Sequence, residues 1–262
     1  MDKPGVTDRD IVDSFRDAMK DGQIYVMYQP QINHATGIII GAEALMRWRH
    51  PRYGVISPAE FIPALEHNGL IHDADLYVFD AICRFHRACI NAGVPLVPIS
   101  FNVSRYDFCQ CDYVSELEHI RQKYDVPVKY LCAEITESSA VGGVELVRRF
   151  LHKLHTKGYV VEMDDFGSGY SSLNVLSGLD VDVIKFDMQF FAGGIHGRGG
   201  IIIRSVVNMA KCLELSMIAE GVETGEQADF LMELGCLYIQ GYLYSKPVSA
   251  QRLIDMITEA QT

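Results

Sequence analysis

Seven short apolar runs in this 262-residue sequence end at or just before polar side chains: Glu43, Asn102, Glu134, the adjacent Asp164 and Asp165, Lys185, Glu220 and Gln240. An asparagine and several carboxylates are hard oxygen donors, the ligand type that suits Mg²⁺ or Mn²⁺ and not a soft metal. Two neighbouring aspartates in a half-buried mouth resist ionising together unless cations are present. A pair of metals bridged by Asp164, with Asp165 serving the second, relieves that repulsion. Two such metals activate a bridging water and stabilise charge on phosphate oxygens, which is the chemistry of in-line displacement at phosphorus. Lys185 then orients the water or neutralises charge. Glu220 either holds a metal or accepts a proton, and sequence alone leaves both roles open. Taken singly, each acid reads equally well as a helix N-cap or a solvated loop residue, Lys185 as a snorkelling lysine and Asn102 as a turn former. Their joint recurrence at run ends is what carries the functional reading.

The elements that must bring these residues together follow from periodicity. Extended segments at 23–31 and 37–45 flank a turn and form an opening hairpin. Further strand candidates lie at 97–103, 131–135, 160–163, 181–186, 217–219 and 237–239. Amphipathic helices are expected at 8–20, 58–68, 73–92, 113–124, 143–157, 201–213, 226–234 and 250–260. Strand and helix alternation implies a parallel sheet. Eight strands in a chain of this length favour an α/β fold of the (β/α)8 TIM-like barrel type over an open doubly wound sheet, with one antiparallel strand near the N-terminus supplied by the hairpin. In such a barrel the C-terminal strand ends face one mouth, so the seven run ends converge. No linker or repeat divides the chain: residues 1–20 read as a lead-in helix, part of or flanking the domain, and 21–262 as the domain itself.

Other chemistries drop out. The nine histidines include no HExxH pair, and there is no GxSxG elbow and no GxGxxG after the first strand. The seven cysteines are odd in number and scattered, as reduced thiols are; the Cys109/Cys111 pair has no zinc-spaced partner pair. A net charge of -11 opposes binding to a nucleic-acid polymer, which needs a basic surface. An anionic ligand must then be neutralised by something else, and divalent cations held by carboxylates would do so. The glycines Gly193, Gly194, Gly197, Gly199 and Gly200 match no phosphate loop and receive no function. Residues 164–170, DDFGSGY, read either as a mobile loop that folds over substrate or as a tight turn. With no apolar run near the roughly eighteen residues of a membrane span and no signal-peptide pattern, the expectation is a cytoplasmic protein without membrane contact.

The triplet Glu43-Ala44-Leu45 within GAEALMRWRHP, followed in order by FNVS, EITES, DDFGSGYSSL, IKFD, AEGVET and QGYLYSKP, and preceded by YQPQI, resembles the EAL domain phosphodiesterases of bacteria. PAEFIPALEHNGLI belongs to the same set, which covers nearly everything after the first twenty residues. The resemblance implies cyclic di-GMP as substrate, linear pGpG as product, and a Mg²⁺ or Mn²⁺ site with two metals. By motif, it implies metal ligands at Glu43, Asn102, Glu134 and Asp164, a second-metal ligand at Asp165 and a water-positioning lysine at Lys185. Glu220 is similar to the residue acting as base or ligand, and Gln240 to a polar support of the water and metal site. Glu137 resembles the glutamate that fixes the DDFGSGY loop and couples the site to dimerisation, so a homodimer is expected. Substrate contacts are implied for Arg47, whose guanidinium binds phosphate through two donors, and for Leu45 and Gln29 of the first two motifs. Two departures stand out: Met188-Gln189 replaces a common Arg-Ser, which removes a base contact, and Leu65-Glu66 replaces Ala-Glu, which affects packing.

The sequence therefore points to an active phosphodiesterase, with a non-catalytic cyclic di-GMP receptor or protein-interaction module as its rival and a barrel acting on another phosphodiester as a third reading. Within a longer protein, a sensory or GGDEF domain is the expected partner.

Overall fold

A computed structural model describes residues 5–110, 112–140, 143–167, 172–188 and 195–259. Cys111, Gly193, Gly194, Gln189 and the end of the DDFGSGY segment lie outside these described residues. Nine strands form one sheet in the order β1-β9-β8-β7-β6-β5-β4-β2-β3, and the β1–β2 pairing closes it. Eight strands make the ring: β1 (Ile24–Asn33), β2 (Ile39–His50), β4 (Ile99–Asn102), β5 (Leu131–Thr136), β6 (Val160–Asp164), β7 (Val183–Asp187), β8 (Ser216–Glu220) and β9 (Tyr238–Gln240). The short β3 (Gly54–Ile56) is an appendage on β2. The fold is thus the eight-stranded barrel expected, with β1 antiparallel to both β2 and β9 and the remaining ring pairs parallel.

Helices wrap the barrel: α1 (Asp8–Lys20), α2 (Pro58–His67), α3 (Ile71–Ala92), α4 (Tyr113–Tyr124), α5 (Glu137–Ala140), α6 (Val144–Lys157), α7 (Ser172–Gly178), α8 (Gly197–Cys212), α9 (Gly225–Leu234) and α10 (Ala250–Glu259). Capping boxes start three of them, Thr7/Asp10 on α1, Ser57/Glu60 on α2 and Thr224/Gln227 on α9, each satisfying two N–H groups that no helical carbonyl can reach. The apolar stripe of α1 is packed onto the domain: Ile11, Phe15 and Ala18 are buried, and the Phe15 ring meets Trp48 edge-on at 5.8 Å. No described helix is long and apolar enough to cross a membrane.

Several expected boundaries are corrected. β4 is four residues, shorter than 97–103, although its flanks still bond across the sheet: the Ala42 N–H donates to the Pro98 carbonyl at 3.0 Å and the Val103 N–H to the Glu134 carbonyl at 2.8 Å. α3 begins at Ile71, two residues early; Leu70 at its N-cap makes no side-chain bond, so no capping residue marks the start. α8 begins at Gly197 inside the glycine-rich stretch, against an expected 201. α5, α7 and β3 are too short for periodicity to register.

Strand alternation decides what faces the barrel axis. On β4, β5 and β6 the residues Ser100 and Asn102, Cys132 and Glu134, and Glu162 and Asp164 share one face two residues apart. The ladder aligns Asn102 with Glu134 and Asp187 with Glu220 at neighbouring strand ends.

Candidate metal-dependent active site

Lys185 is the centre of the site. It sits on β7, is fully buried, and its Nζ lies 2.8 Å from Glu220, 2.9 Å from Glu134, 3.2 Å from Glu43 and 3.9 Å from Asp164. The four carboxylates come from β8, β5, β2 and β6, so only barrel closure brings them together. An ammonium has three N–H donors and faces four carboxyl groups, so the cluster holds more negative charge than its one cation matches. Glu134 Oε2 is accordingly buried without a hydrogen-bond donor.

The protonation pattern follows. Burial works to depress Lys185, but Glu134, Glu220, Glu43 and Asp164 outweigh it and hold the ammonium well above its ordinary value. Burial pushes Glu134 and Glu220 well up, against the pull of Lys185 and with repulsion from the neighbouring acids. Asp164 goes the other way: burial opposes ionisation, yet the Lys185 charge, helped by a bond from the Asp165 backbone, holds it below its usual value. The acids around Lys185 therefore titrate as a coupled group, with Glu134 and Glu220 harder to ionise and Asp164 easier.

Asp165 follows β6 with φ 56°, a left-handed conformation that aspartate tolerates better than most residues. Burial, then the charges of Asp164 and Asp187, raise its carboxyl to about 6. Gln240 bridges two strands: Gln31 donates to its Oε1 at 3.0 Å, and its own amide donates to Glu43 Oε2. That chain fixes the Glu43 rotamer from the β1 side. Glu137 is buried at the start of α5, and its Oε2 accepts the Gly167 N–H at 3.1 Å, anchoring the segment after Asp165.

Two cavities open here and share Leu45 in their walls. The smaller, about 290 Å³, is lined by Gln29, Glu43, Asp164, Glu220 and Gln240, together with Asp187, Glu223 and Tyr242. The larger, about 750 Å³, is lined by Arg47 and Asn102, by the apolar Met46, Ile62, Ile71 and Val78, and by the buried Asp75. The Ser104 N–H donates to Asp75 at 3.1 Å, and burial followed by repulsion from Asp107 raises the Asp75 carboxyl well above its usual value.

The sequence-derived residues thus divide. Glu43, Glu134, Asp164, Lys185, Glu220 and Gln240 meet at the barrel mouth. Asn102 stands at the end of β4 beside Glu134 and faces the larger cavity with Arg47. The effect of Gln189 lies outside the described residues. Sequence reasoning missed four residues. Asp187 is a strand-end acid two residues after Lys185, so the same rule that found Lys185 reaches it. Glu162, buried beneath Asp164 and bonded by Ser100 Oγ at 2.7 Å, was hidden mid-strand. Glu223 and Tyr242 sit in loops where no periodicity applies.

Among the described residues, no three His, Cys, Asp or Glu side chains are spaced to hold a metal as they stand, since Lys185 occupies the centre of the acids. The donor set itself, hard carboxylate oxygens in excess of local positive charge with a buried oxygen left undonated, fits a divalent cation of the Mg²⁺ or Mn²⁺ kind.

A parallel barrel with one reversed strand and a carboxylate cluster at its C-terminal mouth defines a class of acidic-site barrel proteins. The chain belongs to the EAL domain family, whose pattern matches residues 12–247. It is 34% identical over 248 residues, 94% of this chain and 36% of the relative, to the bifunctional diguanylate cyclase/cyclic di-GMP phosphodiesterase MucR of Pseudomonas aeruginosa. It is likewise 34% identical over 244 residues, 92% of this chain and 48% of the relative, to the probable cyclic di-GMP phosphodiesterase PdeG of Escherichia coli K12. Among solved structures, the PaMucR phosphodiesterase in complex with c-di-GMP superposes with a TM-score of 0.86 at 34% identity, covering 93% of this chain and 99% of that one. The chain spans about a third to a half of the length of the curated relatives it matches.

Proposed function

We propose that this domain is a metal-dependent phosphodiesterase that hydrolyses cyclic di-GMP to linear pGpG. The observation that carries the reading is the convergence of Glu43, Glu134, Asp164 and Glu220 on Lys185, in a family whose relatives bear the name of that activity. Glu43, Asn102, Glu134 and Asp164, with Glu220, would hold one cation, and Asp164 with Asp165 a second. When bound, the cations supply an activated water and neutralise charge on the phosphate. With cations held there, the acids would act as their ligands and Lys185 would orient the attacking water. Gln240 keeps Glu43 in place through its amide, and Arg47 takes a phosphate oxygen. Glu137 holds the segment after Asp165 through Gly167. The apolar-walled larger cavity would take one guanine, and Leu45, which lines both cavities, and Gln29, which lines the smaller, would contact the substrate. Homodimerisation and a cytoplasmic site of action complete the proposal.

The test is incubation of the purified protein with cyclic di-GMP in Mg²⁺, in Mn²⁺ and in chelator, with products resolved by chromatography. pGpG formed only with metal supports the reading. Tight binding of intact cyclic di-GMP with no product in either metal would replace it with the receptor reading.

A further inference from the structure

Tyr242 stands two residues past Gln240 and lines the same cleft as Glu43, Asp164 and Glu220, yet 58% of it is exposed. Its backbone is unusually constrained for so exposed a side chain. The Val222 N–H donates to the Gln240 carbonyl at 3.4 Å, the Leu243 N–H to the Val222 carbonyl at 3.1 Å, and the Tyr244 N–H to the Gly241 carbonyl at 3.2 Å. A Cβ on Gly241 would come within 2.1 Å of the Val222 carbonyl oxygen, so the two loops touch backbone to backbone. The Tyr244 hydroxyl and His34 Nδ1 share a further hydrogen bond that ties the loop to the β1–β2 hairpin.

The ring has two different faces. Lys246 Nζ lies 5.2 Å from its centroid on one side, a cation–π contact. With 58% of the residue exposed, much of the ring stays open to a ligand in the cleft. A largely exposed aromatic ring on a backbone-anchored loop, at the rim of a cleft lined by Glu43, Asp164 and Glu220, is suited to stack a planar base. The loop closes on Val222, directly after Glu220 and Gly221, so the ring stands at a fixed distance from the reacting centre.

We infer that Tyr242 is a substrate-binding residue, the platform on which one guanine of the substrate stacks. The inference rests on the cyclic di-GMP reading above. Stacking on one face contributes about tenfold to a hundredfold in affinity and acts in the ground state and transition state alike. Removal of the ring therefore raises KM and leaves kcat nearly unchanged. The ring supplies the contact and the hydroxyl does not, so Phe substitutes for Tyr and Leu does not.

The experiment measures KM and kcat for cyclic di-GMP in Mg²⁺ for the wild type and for Tyr242→Phe, Tyr242→Leu and Tyr242→Ala. Binding of intact cyclic di-GMP to the same proteins by calorimetry in Ca²⁺, and thermal melting, accompany it. The expected result is KM raised about tenfold or more in Leu and Ala, kcat within about threefold, Phe equal to wild type and melting unchanged. Wild-type KM and affinity in the Leu variant overturn the platform, as does a fall in kcat alone or a Phe variant as weak as Ala. A wild type that neither binds nor cleaves cyclic di-GMP overturns the substrate reading itself, which the variants' mutual comparison does not.

Discussion

Substituting Asp165→Asn isolates the electrostatic strain at the barrel mouth, because asparagine keeps the side-chain shape, tolerates the left-handed backbone and removes the charge. The folded carboxyl titrates at about 6, raised from 3.8 by burial and by Asp164 and Asp187. A raised carboxyl favours folding while protonated, so its contribution is fully present below about pH 4 and is lost as pH rises through 6. The difference corresponds to roughly 3 kcal/mol undiluted, and because Asp165 is partly open to water, solvent screening reduces this to about 1 kcal/mol. In chelator at pH 8, Asp165→Asn should therefore melt about 2–4 °C higher than wild type, and near pH 4 the two should coincide. In saturating Mg²⁺ at pH 8 the order should reverse, since the wild type gains a cation that the variant holds less well. Differential scanning calorimetry at the two pH values, with and without metal, reads all four points. A variant less stable than wild type in chelator at pH 8 would refute the reasoning about repulsion at this mouth.

Glu43→Ala and Asp164→Ala should each abolish metal-dependent turnover, by on the order of a thousandfold or more, with circular dichroism unchanged; retained turnover removes the residue from the site. Lys185→Met should destabilise the metal-free protein by ~3–5 kcal/mol, because it leaves buried carboxylates without their cation. Millimolar Mg²⁺ should restore part of that loss, and denaturant titration with and without metal checks it; no destabilisation in chelator contradicts the ion-pair cluster. Glu137→Ala should lower kcat by about tenfold, as loss of a supporting partner does, with faster amide exchange in the segment after Asp165. Wild-type kinetics would reject the anchoring role.

Much of the fold and site is legible in the sequence because the barrel obeys two local periods. Strands β5 and β6 are found nearly to the residue, since their apolar runs end at Glu134 and Asp164. The same rule reaches Lys185 and Glu220, whose charges at the ends of buried runs have no reason to be there for packing. What the sequence cannot express is three-dimensional sharing. That one ammonium sits among four acids from four strands is a product of ring closure and shear, and no pair of those residues is local. Glu162 looks mid-strand and is polar inside the barrel only because Ser100 and Cys132 face it from the two preceding strands. Tyr242 depends on a loop whose shape comes from backbone contact with Val222. The start of α3 at Ile71 escaped because Leu70 does not cap it.

The central claim is that the acids around Lys185 form a two-cation site. Anomalous diffraction from crystals grown with Mn²⁺ tests it most directly. Two peaks are expected, one among Glu43, Asn102, Glu134 and Asp164 and one between Asp164 and Asp165, with Lys185 displaced from the middle of the carboxylates. Lys185 still seated among four carboxylates, with no manganese at the barrel mouth in a protein that cleaves cyclic di-GMP, would contradict it.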